Sequence, residues 1–163
     1  MSRRLTIFLV VGLLAGGVGA TTARGAEAHW YPLFQAINRA RAKHHLRPVA
    51  ASPRLHWAAR RHSSDMLAHD YFGHTSPSGG TLYDRIVRSG FLTEGTWWAG
   101  ETLAWGTGTT GDPDSVVHMW LESPEHRAIL LSPLYRFVGI GRARGTFLRH
   151  PDANVWTADW GHR

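Results

Sequence analysis

Phe137-Val138-Gly139-Ile140-Gly141-Arg142-Ala143-Arg144 and, beyond a loop holding Gly145 and Pro151, Asn154-Val155-Trp156-Thr157-Ala158-Asp159-Trp160 read as two β-strands. Upstream of them the pattern is helical. Leu33, Phe34, Ile37 and Ala40 recur at helical spacing between Trp30 and Lys43, and the stretch from His44 to Pro48 ends that helix. Ser52-Pro53 offers an N-cap followed by proline at the first helical position. Leu55, Ala58, Ala59, His62, Met66 and Leu67 then form one face of a second helix running to about Ala68. Thr81-Leu82-Tyr83-Asp84 reads as a capping box, with aspartate in the usual glutamate place, opening a short helix stopped by Gly90. Asp112-Pro113 begins another helix with Val116, Val117 and Trp120 as its apolar stripe, and Ser123-Pro124 restarts the chain as a helix of one or two turns. The segment from Trp97 to Trp105 fits either a strand or an ordered loop. Helices early and strands late predict a layered α+β domain with a small antiparallel sheet.

The N-terminal residues have a different character. Arg3-Arg4 precede an apolar run from Leu5 to Ala20, and Ala26-Glu27-Ala28 has the small-x-small form of a cleavage site. That plan predicts a secretory signal peptide over residues 1–28, a folded domain over 29–163, and export to the outside or to the periplasm and cell envelope. The apolar run is rich in glycine and short for a spanning helix, so no transmembrane helix is expected in the mature chain. Arg3-Arg4 are compatible with general or twin-arginine export. The chain has no cysteine, which excludes disulfides, thiolate catalysis and cysteine-held zinc. A domain without bridges must rely on its core, and eight tryptophans supply large apolar surfaces for one. The net charge is +6, but Arg39, Arg41, Arg60, Arg61, Arg85, Arg88, Arg142, Arg144 and Arg149 are scattered along the sequence. Scattered arginines predict a solvated basic surface suited to anionic cell envelopes, and no nucleic-acid partner is expected.

Three short stretches carry candidate chemistry. His74 follows Tyr71-Phe72-Gly73 and precedes a turn rich in serine, proline and glycine, where a side chain can face a cleft. Glu101 lies between Gly100 and an apolar run, near Trp97 and Trp98, so it is either desolvated and partnered or an edge residue facing water. His126 is at the third position of the Ser123-Pro124 helix. Two imidazoles and a carboxylate make an N/O set suited to zinc or another divalent cation, but there is no His-Glu-x-x-His helix and no compact ligand cluster. Ser63, Ser64 and Ser76 lie in no nucleophile-elbow pattern. Glu101 with either histidine is a chemically possible acid/base pair. The dispersed His44, His45, His56, His62, His69, His118 and His150 read as surface or core-edge residues, with Asp65 and Asp70 as solvated partners.

The order of these motifs carries a family resemblance. Asn38-Arg39, Leu46-Arg47-Pro48, Tyr71-Phe72-Gly73-His74, Ser76-Pro77-Ser78-Gly79 and Gly100-Glu101-Thr102-Leu103-Ala104 are followed by Trp120, Ser123-Pro124-Glu125-His126-Arg127, Val138-Gly139-Ile140-Gly141 and Trp160-Gly161. In this order they resemble bacterial members of the CAP superfamily, the cysteine-rich secretory, antigen 5 and pathogenesis-related 1 proteins. The resemblance implies a three-layer α-β-α sandwich with a central cleft. His74, Glu101 and His126 match three of the family's four cavity residues, and the two histidines match positions that bind divalent metal, commonly zinc, in some relatives. The fourth is a glutamate, for which this chain has Ser123; Glu122 is one residue away on another helical face, and Asp84 is a candidate substitute carboxylate. The resemblance implies a secreted or envelope-exposed domain binding an unknown ligand or envelope component, with a lipid as one candidate. A metal-assisted hydrolase of envelope peptides or glycans, with Glu101 as base, and a non-catalytic interaction module are the alternatives.

Overall fold

The computed structural model describes residues 29–92 and 96–163; the expected signal peptide lies outside the described residues. The elements are α1 (Tyr31–Lys43), β1 (Ala50–Ala51), α2 (Pro53–Ala68), α3 (Leu82–Arg88), β2 (Trp98–Gly106), α4 (Pro113–Glu122), α5 (Pro124–Leu130), β3 (Phe137–Phe147) and β4 (His150–His162), with a 3-10 turn over Gly108–Gly111. Ser52 caps α2 by accepting the Leu55 amide, and Thr81 with Asp84 closes a reciprocal capping box on α3. The segment around Trp97–Trp105 is a strand.

The sheet order is β1-β3-β4-β2. β4 pairs antiparallel with both β2 and β3, whereas β1 runs parallel to β3, so the expected antiparallel sheet is mixed. Asn38 causes the difference. Its amide bonds both the Val49 N–H and the Val49 carbonyl, at 2.9 and 3.1 Å, turning the chain after α1 onto the sheet edge. Ala50 and Ala51 then lie beside Phe137 and Val138.

The two late strands are longer than their apolar pattern. Gly145 and Pro151 belong to β3 and β4, and the turn is only Leu148-Arg149, both in the left-handed region at φ 47° and 70°. A two-residue turn of that hand matches the twist of a hairpin, but neither residue type advertises it. The carboxylate of Asp70 accepts the Leu148 amide at 2.5 Å and helps hold the turn. Asp70 therefore has a structural partner, unlike the solvated role expected of it.

Alternation along β4 sets the layers. Ala153, Val155, Thr157 and Asp159 fall on one face, and Asn154, Trp156, Ala158 and Trp160 on the other. The second face packs with α1, α4 and α5 through Leu33, Ile37, Val116, Trp120 and Leu130. The buried indoles satisfy their N–H groups: Trp120 donates to the Leu103 carbonyl, Trp156 to that of Gly111, and Trp160 to the Thr102 hydroxyl. The first face receives α2. A Cβ at Gly139 would lie 2.0 Å from the Leu55 carbonyl carbon, and one at Gly141 would lie 2.2 Å from the Ala59 oxygen. Two glycines on one strand face thus let the α2 backbone rest on the sheet.

That contact makes a specific prediction. Gly139→Ala lowers unfolding free energy by about 3 kcal/mol, because the added methyl meets backbone that cannot move independently. Gly145→Ala, which meets only the flexible end of Leu67 at 3.3 Å, shifts stability by less than about 1 kcal/mol. Urea denaturation of both variants measures the contrast; equal losses would show that helix–sheet approach is not the constraint.

Candidate functional site

Glu101 is on the α2-facing side of β2, directly across from Asp159 on β4. Its side chain is 1% exposed, and a carboxylate so buried requires partners. Two meet it at short range. The His74 Nδ1 lies 2.7 Å from Oε1, and the Arg85 Nη2 donates to Oε2 at 2.6 Å. His62, reaching from the buried face of α2, brings its Nε2 to 3.8 Å from Oε2. The acid and its neighbours thus converge from β2, β4, α2, α3 and the α2–α3 loop.

The loop bearing His74 is tied at several points. The Arg85 Nη2 also donates to the His74 carbonyl at 3.1 Å, and the His62 Nε2–H donates to the Gly73 carbonyl at 3.0 Å. Asp65 accepts the Tyr71 hydroxyl at 2.5 Å and the Ser76 hydroxyl at 2.8 Å. Asp65 is therefore an anchor for the loop rather than a mere solvated partner of a surface histidine. His74 itself is half exposed, its Nδ1 held by Glu101 and its Nε2 left free of protein hydrogen bonds among the described residues.

Charge is unevenly distributed over this group. Burial opposes ionisation of Glu101, but the His74 hydrogen bond and the Arg85 charge outweigh it and hold the carboxyl below its ordinary value. Asp159 behaves oppositely: burial first, then the Glu101 charge, push its carboxyl well above the usual range. Neither Asp159 oxygen meets full hydrogen-bond geometry with a protein atom. The pair is therefore one carboxylate and one carboxylic acid, since two adjacent buried charges would repel. Burial lowers His62 and keeps it neutral, whereas the Glu101 hydrogen bond raises His74. His126 is lowered by burial and then by the charge of His74.

The structure brings His74 and Glu101 into contact and places His126, on α5, within the electrostatic reach of His74. Asp84 does not join them. Its Oδ2 accepts the Thr81 amide and hydroxyl at 2.9 and 2.7 Å, so the candidate substitute carboxylate is spent on the α3 cap. Glu122 is exposed and pairs with His118 at 3.2 Å, and Ser123 starts α5 without a side-chain cap bond. The second carboxyl beside Glu101 is instead Asp159. Two signals pointed to the residues missed by sequence reasoning: a histidine inside the apolar stripe of α2, and an aspartate between Ala158 and Trp160 in an otherwise buried strand. Arg85, one turn into a short helix, had no local signal.

Beside His74 lies an apolar pocket of about 380 Å³, walled by Leu82, Tyr83, Ile86, Leu92, Trp97 and Ala99. His74, Thr75 and Thr81 supply its polar edge, and a mainly hydrophobic cavity of this kind is suited to a ligand that is apolar along most of its length. Glu101 is poorly placed as a general base, because both of its oxygens face donors and its proton affinity is reduced. For a divalent cation, the donor set is limited. The carboxylate–histidine contact resembles the arrangement that orients a metal-binding imidazole. Yet among the described residues no three of His, Cys, Asp or Glu form a group able to hold a metal, and a catalytic zinc site takes three protein ligands. The residues do not make such a site, and no chemical step is assigned to a metal.

The opposed shifts predict separable titrations. In metal-free protein, NMR resolves His74 titrating above pH 6.5 and His126 below it, and Glu101→Gln moves His74 downward. The raised His74 contributes stability below about pH 6.5 that fades as pH rises through its folded value. His62 and His126 act oppositely, weakening the fold as pH falls below that same value. An unchanged His74 titration in Glu101→Gln would remove the hydrogen bond as its cause.

Comparison with known proteins converges on one family. The model of the cysteine-rich secretory protein family, CAP, matches residues 34–160. The chain is 35% identical over 131 residues to the uncharacterized protein YkwD of Bacillus subtilis, covering 80% of this chain and 46% of that protein. It is 33% identical over 109 residues to the uncharacterized membrane protein YlbC of the same organism, covering 67% of this chain and 30% of that protein. The chain thus spans less than half the length of both curated relatives. A crystal structure of an SCP-domain extracellular protein from Bacillus anthracis superposes with a TM-score of 0.68 at 27% identity, over 85% of this chain and 41% of that one. An outer surface protein of Borrelia burgdorferi superposes with a TM-score of 0.66 at 22% identity, over 85% and 95%, a likeness of fold.

Proposed function

The chain belongs to the cysteine-rich secretory protein (CAP) family, and we propose that it is an exported binding domain whose central cleft takes an amphiphilic, lipid-like ligand. The carrying observation is the apolar pocket that opens at His74. Its hydrophobic walls suit an acyl chain, and an imidazole raised towards its cationic form suits an anionic head. His126 is close enough to feel the His74 charge. Glu101, Arg85 and Asp159 position His74 and do not contact the ligand. Export agrees with the extracellular and outer-surface descriptions of the structural relatives, and among the described residues no helix is long and apolar enough to cross a membrane. The hydrolytic alternative has less support, since the carboxylate it needs as base is already bonded by His74 and Arg85.

A fluorescent fatty acid tests this reading, with Trp97 in the pocket wall as an energy-transfer donor. Saturable binding is expected, and Leu82→Trp, which fills the pocket, weakens it by at least about tenfold, equivalent to about 1.4 kcal/mol. Affinity unaffected by Leu82→Trp, with the fold intact by circular dichroism, would end the proposal.

A divalent cation at His74 and His126 is a second reading, favoured by the Glu101–His74 hydrogen bond alone. Two imidazoles leave the remaining coordination to water or ligand, so only weak zinc binding is expected. Calorimetric titration of chelator-treated protein measures it, and the His74→Ala/His126→Ala double variant abolishes it. Zinc uptake unaltered in the double variant would exclude the site.

A further inference from the structure

On the opposite side of α2 from the sheet, residues separated in sequence form one surface. Trp57, Arg61, Ser64 and Ala68 recur at helical spacing along the outer face, flanked by Arg60. Alongside them runs a groove of about 550 Å³, closed on its far side by Ser78 and Gly80 of the α2–α3 loop and by Arg85 and Arg88 of α3. A second groove of about 400 Å³ continues from the same helix towards β3, where it is bordered by His56, Arg142 and Arg144. Arg60 and Ser64 line both grooves, which therefore adjoin along the outer side of α2 and are together called the trough. From Trp57 to Ala68 the helix alone contributes about 16 Å of length.

The trough is strongly cationic. Two of its arginines are neutralised: Arg85 by Glu101, and Arg144 by Asp152 at 3.5 Å. Among the described residues no carboxylate pairs with Arg60, Arg61, Arg88 or Arg142. Among the described residues the single acidic one in the lining, Asp65, is held by Tyr71, Ser76 and His69. One of the unpaired guanidinium groups is preorganised: Arg61 stacks 5.1 Å from the Trp57 ring centre. The Arg142 guanidinium is instead held over Trp156 and Asn154, on the sheet face away from α2. Fixed guanidinium groups lose little freedom on meeting phosphate oxygens.

We propose that this trough binds an extended phosphate-bearing polymer, a polyol- or glycan-phosphate chain such as an anionic cell surface presents. Its length and its unpaired arginines exceed what a single phosphate group would occupy. Nucleic acid fits less well, because base stacking needs free aromatic faces. The Trp57 ring is covered by Arg61, and Trp30 packs with Tyr31, Phe34 and His56. A membrane fits less well because the grooves are concave and, among the described residues, Trp57 is the single large exposed apolar side chain lining them. The inference is independent of the cleft ligand.

The test uses a fluorescent poly(glycerol phosphate) oligomer and fluorescence anisotropy at several salt concentrations. Saturable, salt-sensitive binding is expected. The Arg60→Gln/Arg61→Gln/Arg88→Gln variant weakens it at least tenfold and lowers the slope of log affinity against log salt by about 3, one for each lost phosphate contact. A control variant with the same change in net charge, Arg47→Gln/Arg127→Gln/Arg149→Gln, keeps affinity within twofold. All substituted side chains are exposed, and circular dichroism confirms folding. Equal losses in the two variants would reduce the trough to general surface charge and overturn the proposal. So would absence of saturable binding, or equal affinity for single-stranded DNA or for phosphatidylglycerol vesicles.

Discussion

The buried carboxylate of Glu101 is the constraint around which the candidate site is assembled. Removing a carboxylate from water costs several kcal/mol unless charge and hydrogen bonds replace the lost hydration. Here the replacements come from different elements: Arg85 from α3 and His74 from the loop, with a protonated Asp159 beside them on β4. None of these elements can move far without exposing Glu101 to unpaired burial. The exposed histidine of the cleft thus inherits its position from a charge that solvent does not reach.

The layer packing explains why the acid can be there. Gly139 and Gly141 bring the α2 backbone onto the sheet, which carries His62 and Ser63 inward; Ser63 donates to the Thr157 hydroxyl at 2.9 Å. Thr157 and Asp159 share a face of β4, so the contact that docks the helix also orients the acid pair. The same docking turns the opposite helical face outward, with Arg60 and Arg61 over the trough.

Much of the site was readable from the chain, for reasons that are local. His74 and His126 follow turn or helix-start signals, and Glu101 follows a glycine at a strand start; each keeps its motif when considered alone. Asp84 illustrates the danger in the same logic: its capping-box motif was also readable, and the cap is what occupies its carboxylate. His62 and Asp159 were hidden because a polar residue at a core-facing position looks like an exception to a pattern until its partner across the layer is known. The parallel edge strand was hidden for a similar reason, since two alanines carry no strand pattern and their pairing depends on Asn38 in a preceding helix. The Leu148-Arg149 turn was hidden because neither residue favours the left-handed backbone it adopts.

By itself the sequence determined the helices, their caps, the two long strands, the layered α+β class and the family, because these follow from periodicity, turn chemistry and motif order within short windows. Only the tertiary structure decided which charges are neighbours. Nine arginines that look dispersed along the chain include four that line one groove beside α2, and the second carboxyl beside Glu101 comes from Asp159 on the neighbouring strand rather than from Asp84. Coulomb energy depends on distance and burial, and neither is a function of separation along the chain. What a charged residue does here was therefore settled by the packing of α2 on the sheet.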